Sequence, residues 1–262
     1  MMCYCRERGL TAVLDKEIIE CCRKLRLSRN LADLAQTTEG SSHQEYLHQL
    51  LSDELHYREL TRTQKLVTSA GFYGIHTFEG YRFDEITLPS DLTPEGLKSL
   101  AFIHEKKNLI LYGGTGTGKT MLSTALGVAA CRQGIPVKFF RTAALVNKLS
   151  EAKVAGTLTA FLKKLNKAEV IILDEYGYVP LDRTGAQLLF EIISDCYERR
   201  SIILNTNLEF SRWVNVLYDE QMTAAMLDRL LHHCNCSCFR DPVTGCGNPA
   251  SMNYIAQYRT IN

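Results

Sequence analysis

The amino-acid sequence predicts an α/β fold in which helices flank a parallel sheet, preceded by a small all-helical domain. Two observations lead to this prediction. From about residue 108, short apolar runs alternate with helix-forming stretches, which is typical of a parallel sheet covered by helices. Before about residue 70, apolar residues recur instead at helical spacing. A chain of 262 residues has room for one large domain and a small helical appendage.

Residues 1–68 are predicted to form the helical domain. Its apolar positions form two stripes, one of Ile18, Ile19, Cys22 and Leu25 and a second of Leu47, Leu50, Leu51 and Leu55. Ser42, with Glu45 three residues later, predicts a helix start between the stripes. We expect the stripes to pack together into a small core.

The rest of the chain is predicted to form a linker, a main domain and a tail. Residues 69–107 are aromatic, contain glycines and end in proline-punctuated turns, which predicts a linker leading into the main domain. Residues 108–240 carry the alternating pattern, and residues 241–262 form a tail. The predicted strands are 108–112, 137–140, 170–175 and 201–207, and the predicted helical stretches are 121–131, 142–166 and 184–198.

Composition limits the classes of function. The net charge is +1 with 23% charged residues, so any surface that binds nucleic acid must be local. No apolar run approaches the roughly 18 residues of a membrane span, and the first ten residues carry charges where a signal peptide is apolar. We therefore expect a cytoplasmic protein without a membrane partner, with its ten cysteines reduced.

A cluster of potential metal ligands lies near residue 235. It consists of His232, His233, Cys234, Cys236, Cys238 and, further on, Cys246. The C-x-C-x-C spacing differs from the paired C-x-x-C of structural zinc sites. The pattern favours plain thiols near a strand, with a metal site as the alternative.

The stretch GGTGTGKT matches the phosphate-binding pattern G-x-x-x-x-G-K-[ST]. Its residues are Gly113, Gly114, Thr115, Gly116, Thr117, Gly118, Lys119 and Thr120. In such a loop the backbone N–H groups surround a phosphate, Lys119 reaches the β and γ oxygens, and the Thr120 hydroxyl binds Mg²⁺. An apolar strand precedes the loop and a helix-forming stretch follows it, as the motif requires. The sequence therefore predicts binding of ATP with Mg²⁺.

Two carboxylates follow a second apolar strand, at 170–173. Asp174 is positioned to hold Mg²⁺ through water, and Glu175 to polarise the attacking water. The alternative is an acidic pair that caps a helix. The preceding phosphate loop favours the catalytic interpretation.

The next strand ends in the sequence NTN. A polar amide at this tip would lie near the γ-phosphate and position the water. We choose Asn207 with Asn205 as the alternative, since alternate residues of a strand face the same side. An asparagine that only forms a turn is the other interpretation.

Arg229 follows Asp228 in the stretch MLDRLL. A guanidinium at this position could reach the nucleotide of a neighbouring subunit as an arginine finger. By itself the pair is more typical of a solvated surface ion pair.

Taken together, GGTGTGKT, VIILDEYGYVPLDRTGAQLLFEIIS, NTNLEFSRW and LDRLLHH resemble the IstB family of transposition helper ATPases, within the AAA+ group that includes the DnaC-type helicase loaders. The segments DEYGYVPL and LDRLLHH are specific to that family, and the resemblance covers about residues 40–240. It implies a AAA+ ATPase that assembles with ATP on duplex DNA as a homo-oligomer. Such a protein engages the transposase of the same insertion sequence and promotes target capture and strand transfer.

The resemblance also implies roles for single residues. Lys119 and Thr120 match the Walker A pair, and Asp174 and Glu175 match the Walker B pair. Asn207 matches sensor 1, and Arg229 the finger acting in trans. After Arg240 the chain departs from the family pattern, so Arg259 is not assigned as a sensor 2 arginine.

The interval between Arg141 and Lys167 is locally basic. It contains Arg141, Lys148, Lys153, Lys163, Lys164 and Lys167 against the single acidic Glu151. In DnaC-like proteins this interval resembles an inserted helical motif that lines the DNA channel. We expect Lys148, Lys153, Lys163 and Lys164 to contact DNA phosphates without sequence specificity. An ordinary solvated helix face is the alternative.

Two other functions are compatible with the phosphate loop. A replicative helicase loader would act on single-stranded DNA, but DEYGYVPL and LDRLLHH favour the transposition helper. A small-molecule kinase would need an acceptor pocket, and the water-activating Glu175 argues against it.

Overall fold

The structure is a computed structural model that describes residues 3–84, 86–89, 92–232 and 234–239, with side chains described from residue 14 to residue 234 within these ranges. The chain divides into two compact units, Met1–Lys65 and Leu66–Asn262. Within the described ranges, no helix combines the length and the apolar character that crossing a membrane requires.

The first unit is helical. Its helices are α1 (Cys3–Leu25), α2 (Asn30–Thr37) and the greater part of α3 (His43–Ala70). The start of α3 is confirmed by the Ser42 hydroxyl, which accepts a hydrogen bond from the Glu45 backbone N–H at 3.2 Å. Cys22, Leu31 and Leu50 form the buried core.

The predicted packing of the two apolar stripes is wrong for half of their positions. Leu25, Leu47, Leu51 and Leu55 are exposed. Leu50 is buried while Leu47 and Leu51 are not, because only one face of α3 turns toward the core of α1 and α2 and the second apolar stripe is wider than that face.

The second unit is built on a six-stranded sheet of order β1-β6-β2-β5-β4-β3. The strands are β1 (Ile86–Thr87), β2 (Asn108–Tyr112), β3 (Val137–Arg141), β4 (Val170–Tyr176), β5 (Ser201–Thr206) and β6 (Cys234–Phe239). All neighbours are parallel except β1 and β6, which are antiparallel.

Helices lie between successive strands of the sheet along the chain. They are α4 (Pro94–Lys98), α5 (Ala101–His104), α6 (Lys119–Arg132), α7 (Thr142–Val154), α8 (Leu158–Leu165), α9 (Arg183–Cys196), α10 (Val214–Leu217) and α11 (Glu220–Leu231), with a 3₁₀ turn at Phe210–Arg212. The predicted helical stretch 142–166 is therefore two helices.

Each face of the sheet has its own apolar core, as predicted for helices on both faces. In β4, Ile171 and Leu173 belong to the core that includes residues of α7, α9 and α11. Val170 and Ile172 belong to the core that includes residues of α5 and α6. The four side chains are fully buried, which explains why this strand is continuously apolar.

The strand order determines where the functional residues meet. β5 lies between β2, which leads into the phosphate loop, and β4, which ends in the carboxylate pair. Because these strands are parallel, their carboxyl ends share one edge of the sheet. Residues at the end of β5 therefore lie between the loop and the carboxylates.

The cysteine-rich stretch 234–239 forms β6, in agreement with the prediction of thiols near a strand. His233, Cys246 and the tail 241–262 lie outside the described residues. Among the residues that the structure does describe, His, Cys, Asp and Glu form no cluster of three or more that could hold a metal ion.

Candidate nucleotide-binding site

Lys119 is held inside the phosphate loop. Its ammonium donates to the carbonyl oxygens of Gly113 at 2.8 Å and Gly114 at 2.5 Å, and to the Thr117 hydroxyl at 3.3 Å. The residue is 8% exposed. Burial lowers the pKa of Lys119, while the charge of Asp174 acts in the opposite direction. A buried cation whose hydrogen bonds go to neutral oxygens is a favourable partner for a phosphate.

The loop glycines allow this arrangement. Gly116 and Gly118 have φ values of +79° and +94°, which lie in the left-handed region that residues with a Cβ rarely adopt. Gly118 directly precedes α6. The loop therefore ends at a helix N-terminus, where free backbone N–H groups favour an anion.

Thr120 and Asp174 meet beside the loop. The Thr120 hydroxyl lies 3.1 Å from both carboxylate oxygens of Asp174, which is 4% exposed. The Thr142 hydroxyl donates to the Asp174 backbone oxygen at 2.9 Å and so helps to fix this residue. A hydroxyl and a carboxylate in contact are the hard oxygen ligands that Mg²⁺ prefers, so these residues fit the ion.

Asn205 completes the cluster around Asp174. Its side-chain amide donates to Asp174 Oδ1 and to the Ser123 hydroxyl, both at 2.8 Å. Its Oδ1 atom is buried and has no hydrogen-bond partner among the described residues. An unsatisfied buried acceptor beside the loop is available to a ligand or a water molecule.

Asn207 does not lie at the strand tip where the sequence predicts it. β5 ends at Thr206, so the strand alternation that would align Asn207 with Asn205 does not continue. Asn207 is exposed and does not line the cavity at the phosphate loop, whereas Asn205 does. The geometry favours Asn205 over Asn207 as the polar strand-tip residue.

Glu175 lines the same cavity with a carboxylate that is 44% exposed. Its φ of +56° is uncommon for a residue with a Cβ, and such strain concentrates at functional sites. Arg141, at the end of β3, lies with its Nε 3.4 Å from Glu175 Oε2. The carboxylate that would act on water is thus held by an ion pair.

Tyr178 is a site residue that the sequence reasoning missed. Its hydroxyl lies 3.1 Å from the Thr115 hydroxyl of the phosphate loop, and its side chain lines the cavity. Gly177, with φ of +88°, turns the chain between the buried Tyr176 and Tyr178. The sequence feature that could have indicated Tyr178 is its position three residues after Glu175, in the family-specific segment DEYGYVPL.

These groups enclose one cavity of about 320 Å³ at the carboxyl edge of the sheet. The predicted residues Lys119, Thr120, Asp174 and Glu175 are brought together there. The cavity combines a phosphate loop, a site for a divalent ion and a carboxylate close to solvent. It can bind a nucleoside triphosphate and direct water toward its terminal phosphate.

Arg229 lies elsewhere. In α11 its guanidinium donates to the Ala225 carbonyl at 2.8 Å and lies 5.0 Å from the centre of the Phe190 ring. The residue does not line the cavity of its own chain. Its predicted role in trans stays a prediction.

The four predicted DNA-binding lysines are exposed. Lys148 and Lys153 belong to α7, and Lys163 and Lys164 to α8. These two helices pack against each other. The lysines therefore belong to neighbouring elements, as a shared basic surface requires.

The fold and the site together define a class of protein. A phosphate loop between a parallel strand and a helix, with a carboxylate at the end of a second parallel strand, is the arrangement of a P-loop ATP-binding protein. The chain belongs to the family of IstB-like ATP binding proteins, whose family model matches residues 23–240. Its α/β fold, a mostly parallel sheet with helices on both faces and helices before it in the chain, is as predicted.

The chain is similar to ATP-binding proteins of bacterial insertion sequences. It is 36% identical over 191 residues to the protein named for IS232 of Bacillus thuringiensis subsp. berliner, covering 72% of this chain and 76% of that protein. It is 32% identical over 225 residues to the protein named for IS5376 of Geobacillus stearothermophilus, covering 84% and 90% of the two chains.

Solved structures with a similar fold include replication proteins. The crystal structure of the DnaC helicase loader is 23% identical with a TM-score of 0.47, covering 61% of this chain and 95% of that one. AMPPCP-bound DnaA from Aquifex aeolicus is 20% identical with a TM-score of 0.48, covering 60% of this chain and 48% of that one.

Proposed function

We propose that this chain hydrolyses ATP, assembles with ATP on duplex DNA as a homo-oligomer, and recruits or stimulates the transposase of the same insertion sequence. The observation that carries the proposal is the convergence of Lys119, Asp174 and Glu175 on one cavity. The similar proteins support a role in an insertion sequence, since they are named as ATP-binding proteins of insertion sequences.

The residues divide the chemistry of hydrolysis among them. Lys119 exchanges its carbonyl partners for phosphate oxygens, which stabilises charge on the β and γ positions. Glu175 accepts a hydrogen bond from the attacking water and orients it. Asn205, fixed by Asp174 and Ser123, offers its free Oδ1 to the same water.

Thr120 and Asp174 would hold Mg²⁺, which would neutralise negative charge that develops on the phosphate. The part of these residues is to hold the ion. Asp174 supplies the negative charge and Thr120 a neutral oxygen. Asn205 keeps the Asp174 carboxylate in place through its 2.8 Å hydrogen bond.

Assembly and DNA binding are assigned to separate surfaces. Arg229 would reach the nucleotide of a neighbouring subunit and so make hydrolysis depend on the oligomer. The exposed lysines of α7 and α8 would bind backbone phosphates without reading sequence, which suits insertion at many targets. The helical first unit is assigned to self-assembly or to transposase contact.

The test of hydrolysis uses two substitutions at different steps. Lys119→Ala is expected to abolish ATP binding, because Lys119 meets phosphate directly. Glu175→Gln is expected to bind ATP normally and to lose most of its turnover, by about 10²-fold or more if it acts as a general base. ATP binding and turnover are measured with and without duplex DNA.

Glu191→Gln is the matched control, since Glu191 is an exposed carboxylate of α9 that does not line the cavity. It is expected to behave like the unchanged protein. Equal turnover in the unchanged protein and in Glu175→Gln would contradict the role of Glu175. Turnover without any response to duplex DNA would contradict the DNA part of the proposal.

A further inference from the structure

A second cavity of about 450 Å³ lies beside β3 in the second unit. Among the strands that the structure describes, β3 is the last of the sheet and has a neighbour on one side only. Four consecutive residues of this strand, 138–141, line the cavity together with residues 69–71, Tyr73 and parts of α7 and α8. The cavity therefore lies at this edge of the sheet, and one of its lining residues, Arg141, pairs with Glu175 of the nucleotide site.

The floor of this edge cavity is apolar. Ala70, Phe139 and Leu165 line it and are 2%, 3% and 3% exposed. Phe161 of α8 lines it as well and is partly exposed. Such a floor suits an apolar side chain, which gains free energy by leaving water.

The rim of the edge cavity is basic. Lys138, Arg141, Lys148 and Lys164 line it, and none of the described residues that line it is acidic. Lys138 donates to the Ser69 carbonyl, and Arg141 pairs with Glu175. Lys148 and Lys164 are exposed. The rim thus carries a net positive charge around an apolar floor.

Two basic side chains of the rim lie over aromatic rings, and the floor decides between two kinds of anionic ligand. The Arg141 guanidinium lies 4.5 Å from the centre of the Tyr73 ring, and the Lys148 ammonium lies 5.8 Å from that of Phe140. The buried floor of Ala70, Phe139 and Leu165 suits an apolar side chain better than a nucleotide base, whose polar edges would lose their hydrogen bonds to water there. A peptide needs only the apolar floor and the basic rim.

We propose that the edge cavity binds an acidic segment of a partner protein, with one apolar side chain on the floor and flanking carboxylates on the rim. This inference goes beyond ATP hydrolysis and DNA binding, neither of which needs the floor residues. It separates the four lysines that are predicted to bind DNA into two pairs. Lys148 and Lys164 line the cavity, whereas Lys153 and Lys163 do not.

The test uses a fluorescein-labelled synthetic peptide with a central Phe-Leu pair flanked by Asp and Glu, and fluorescence anisotropy with the full-length protein. Lys148→Glu with Lys164→Glu is expected to weaken binding about tenfold or more, because each reversal replaces a charge-assisted contact with repulsion. The matched control is Lys153→Glu with Lys163→Glu, which makes the same charge change on the same helices outside the cavity. The control is expected to change the dissociation constant by less than about twofold.

Ala144→Phe tests the floor without changing charge. Ala144 lines the edge cavity and is partly exposed, so a larger side chain fills the space that an apolar anchor would occupy. This variant is expected to lose peptide binding, while circular dichroism and ATP binding report that it folds. Unchanged peptide binding in folded Ala144→Phe would overturn the proposal.

Two other results would also overturn the proposal. Equal loss in the two double variants would mean that the peptide binds diffuse surface charge. Binding of a single-stranded oligothymidine that depends on Lys148 and Lys164, without peptide binding, would make the edge cavity a nucleic-acid site. ATP turnover and duplex binding are measured on every variant, so failure of the proposed function is recognised separately from failure of peptide binding.

Discussion

At the scale of single residues, Asp174 organises the nucleotide site. Its carboxylate lies within hydrogen-bond distance of Thr120 and accepts a hydrogen bond from Asn205, and its backbone oxygen accepts one from Thr142. A buried carboxylate with several donors keeps one orientation, because leaving any donor unpaired is costly. The position of the proposed Mg²⁺ ligand is therefore fixed before nucleotide binds.

Asn205→Ala and Asn207→Ala are expected to differ in turnover. Asn205→Ala removes a buried hydrogen bond to a charged group, worth about 1.5–3 kcal/mol, so we expect kcat to fall about tenfold or more. Asn207→Ala changes an exposed residue outside the cavity and is expected to leave kcat within about twofold. Steady-state ATP turnover checks both, and the reverse order would restore Asn207 as the strand-tip residue.

Tyr178→Phe is expected to weaken ATP binding with little change in fold. The substitution keeps the ring and removes the hydroxyl that lies 3.1 Å from Thr115, a neutral hydrogen bond worth about 0.5–1.5 kcal/mol. The dissociation constant for ATP should rise about two- to tenfold, measured by calorimetry. Tyr218→Phe is the control, since Tyr218 is 65% exposed and does not line the cavity. Equal constants for Tyr178→Phe and this control would remove Tyr178 from the site.

At the scale of elements, the pairing of strands decides which residues meet. Asn205, Asp174 and the phosphate loop come from β5, β4 and the turn after β2, and β5 lies between the other two. α7 and α8 follow β3 at the open edge of the sheet and carry the exposed lysines. The nucleotide site is thus formed at the ends of β2, β4 and β5, whereas the basic surface is formed by the helices that follow β3.

Replacing Lys163 and Lys164 by Gln is expected to weaken duplex binding and to reduce its salt dependence. If both lysines contact phosphate, the slope of log affinity against log salt should fall by about 1.8. Lys106 with Lys107, replaced by Gln, is the control, because these adjacent lysines pair with Glu169 and Glu105. A slope unchanged by the substitutions at 163 and 164 would mean that these lysines only face solvent.

At the scale of the whole molecule, the proposed activity requires more than one copy of the chain. The cavity contains the loop, the carboxylates and Asn205, while Arg229 lies outside it against Phe190. An arginine that acts in trans would complete the site only after assembly. The rate of ATP hydrolysis would then report how much of the protein is assembled.

Mixing two inactive variants is expected to restore part of the turnover. Arg229→Ala should bind ATP and hydrolyse it about 10³-fold more slowly or worse, as for loss of an arginine finger. Lys119→Ala cannot bind ATP but still offers its arginine. At an interface between the two variants, the intact phosphate loop of the Arg229→Ala subunit can meet the intact Arg229 of the Lys119→Ala subunit. Turnover that stays absent in mixed oligomers, seen by size-exclusion chromatography, would place the role of Arg229 within its own subunit.

The sequence by itself determined the phosphate loop, the carboxylate pair and the sheet with helices on both faces. These features are local, since the loop needs glycines at fixed spacing before Lys119, and buried parallel strands need continuous apolar runs. The strand at 108–112 and the helix after the loop are found where the sequence predicts them. The family was also identified from contiguous segments.

Only the tertiary structure decided which residues join these features. The choice of Asn205 over Asn207 depends on where β5 ends, and the contact of Tyr178 with Thr115 depends on a turn that folds back to the loop. The edge cavity depends on four segments that meet beside β3. The physical reason is that sequence periodicity reports which face of an element is buried, whereas contacts between residues far apart in sequence depend on how strands and connections pack together in space.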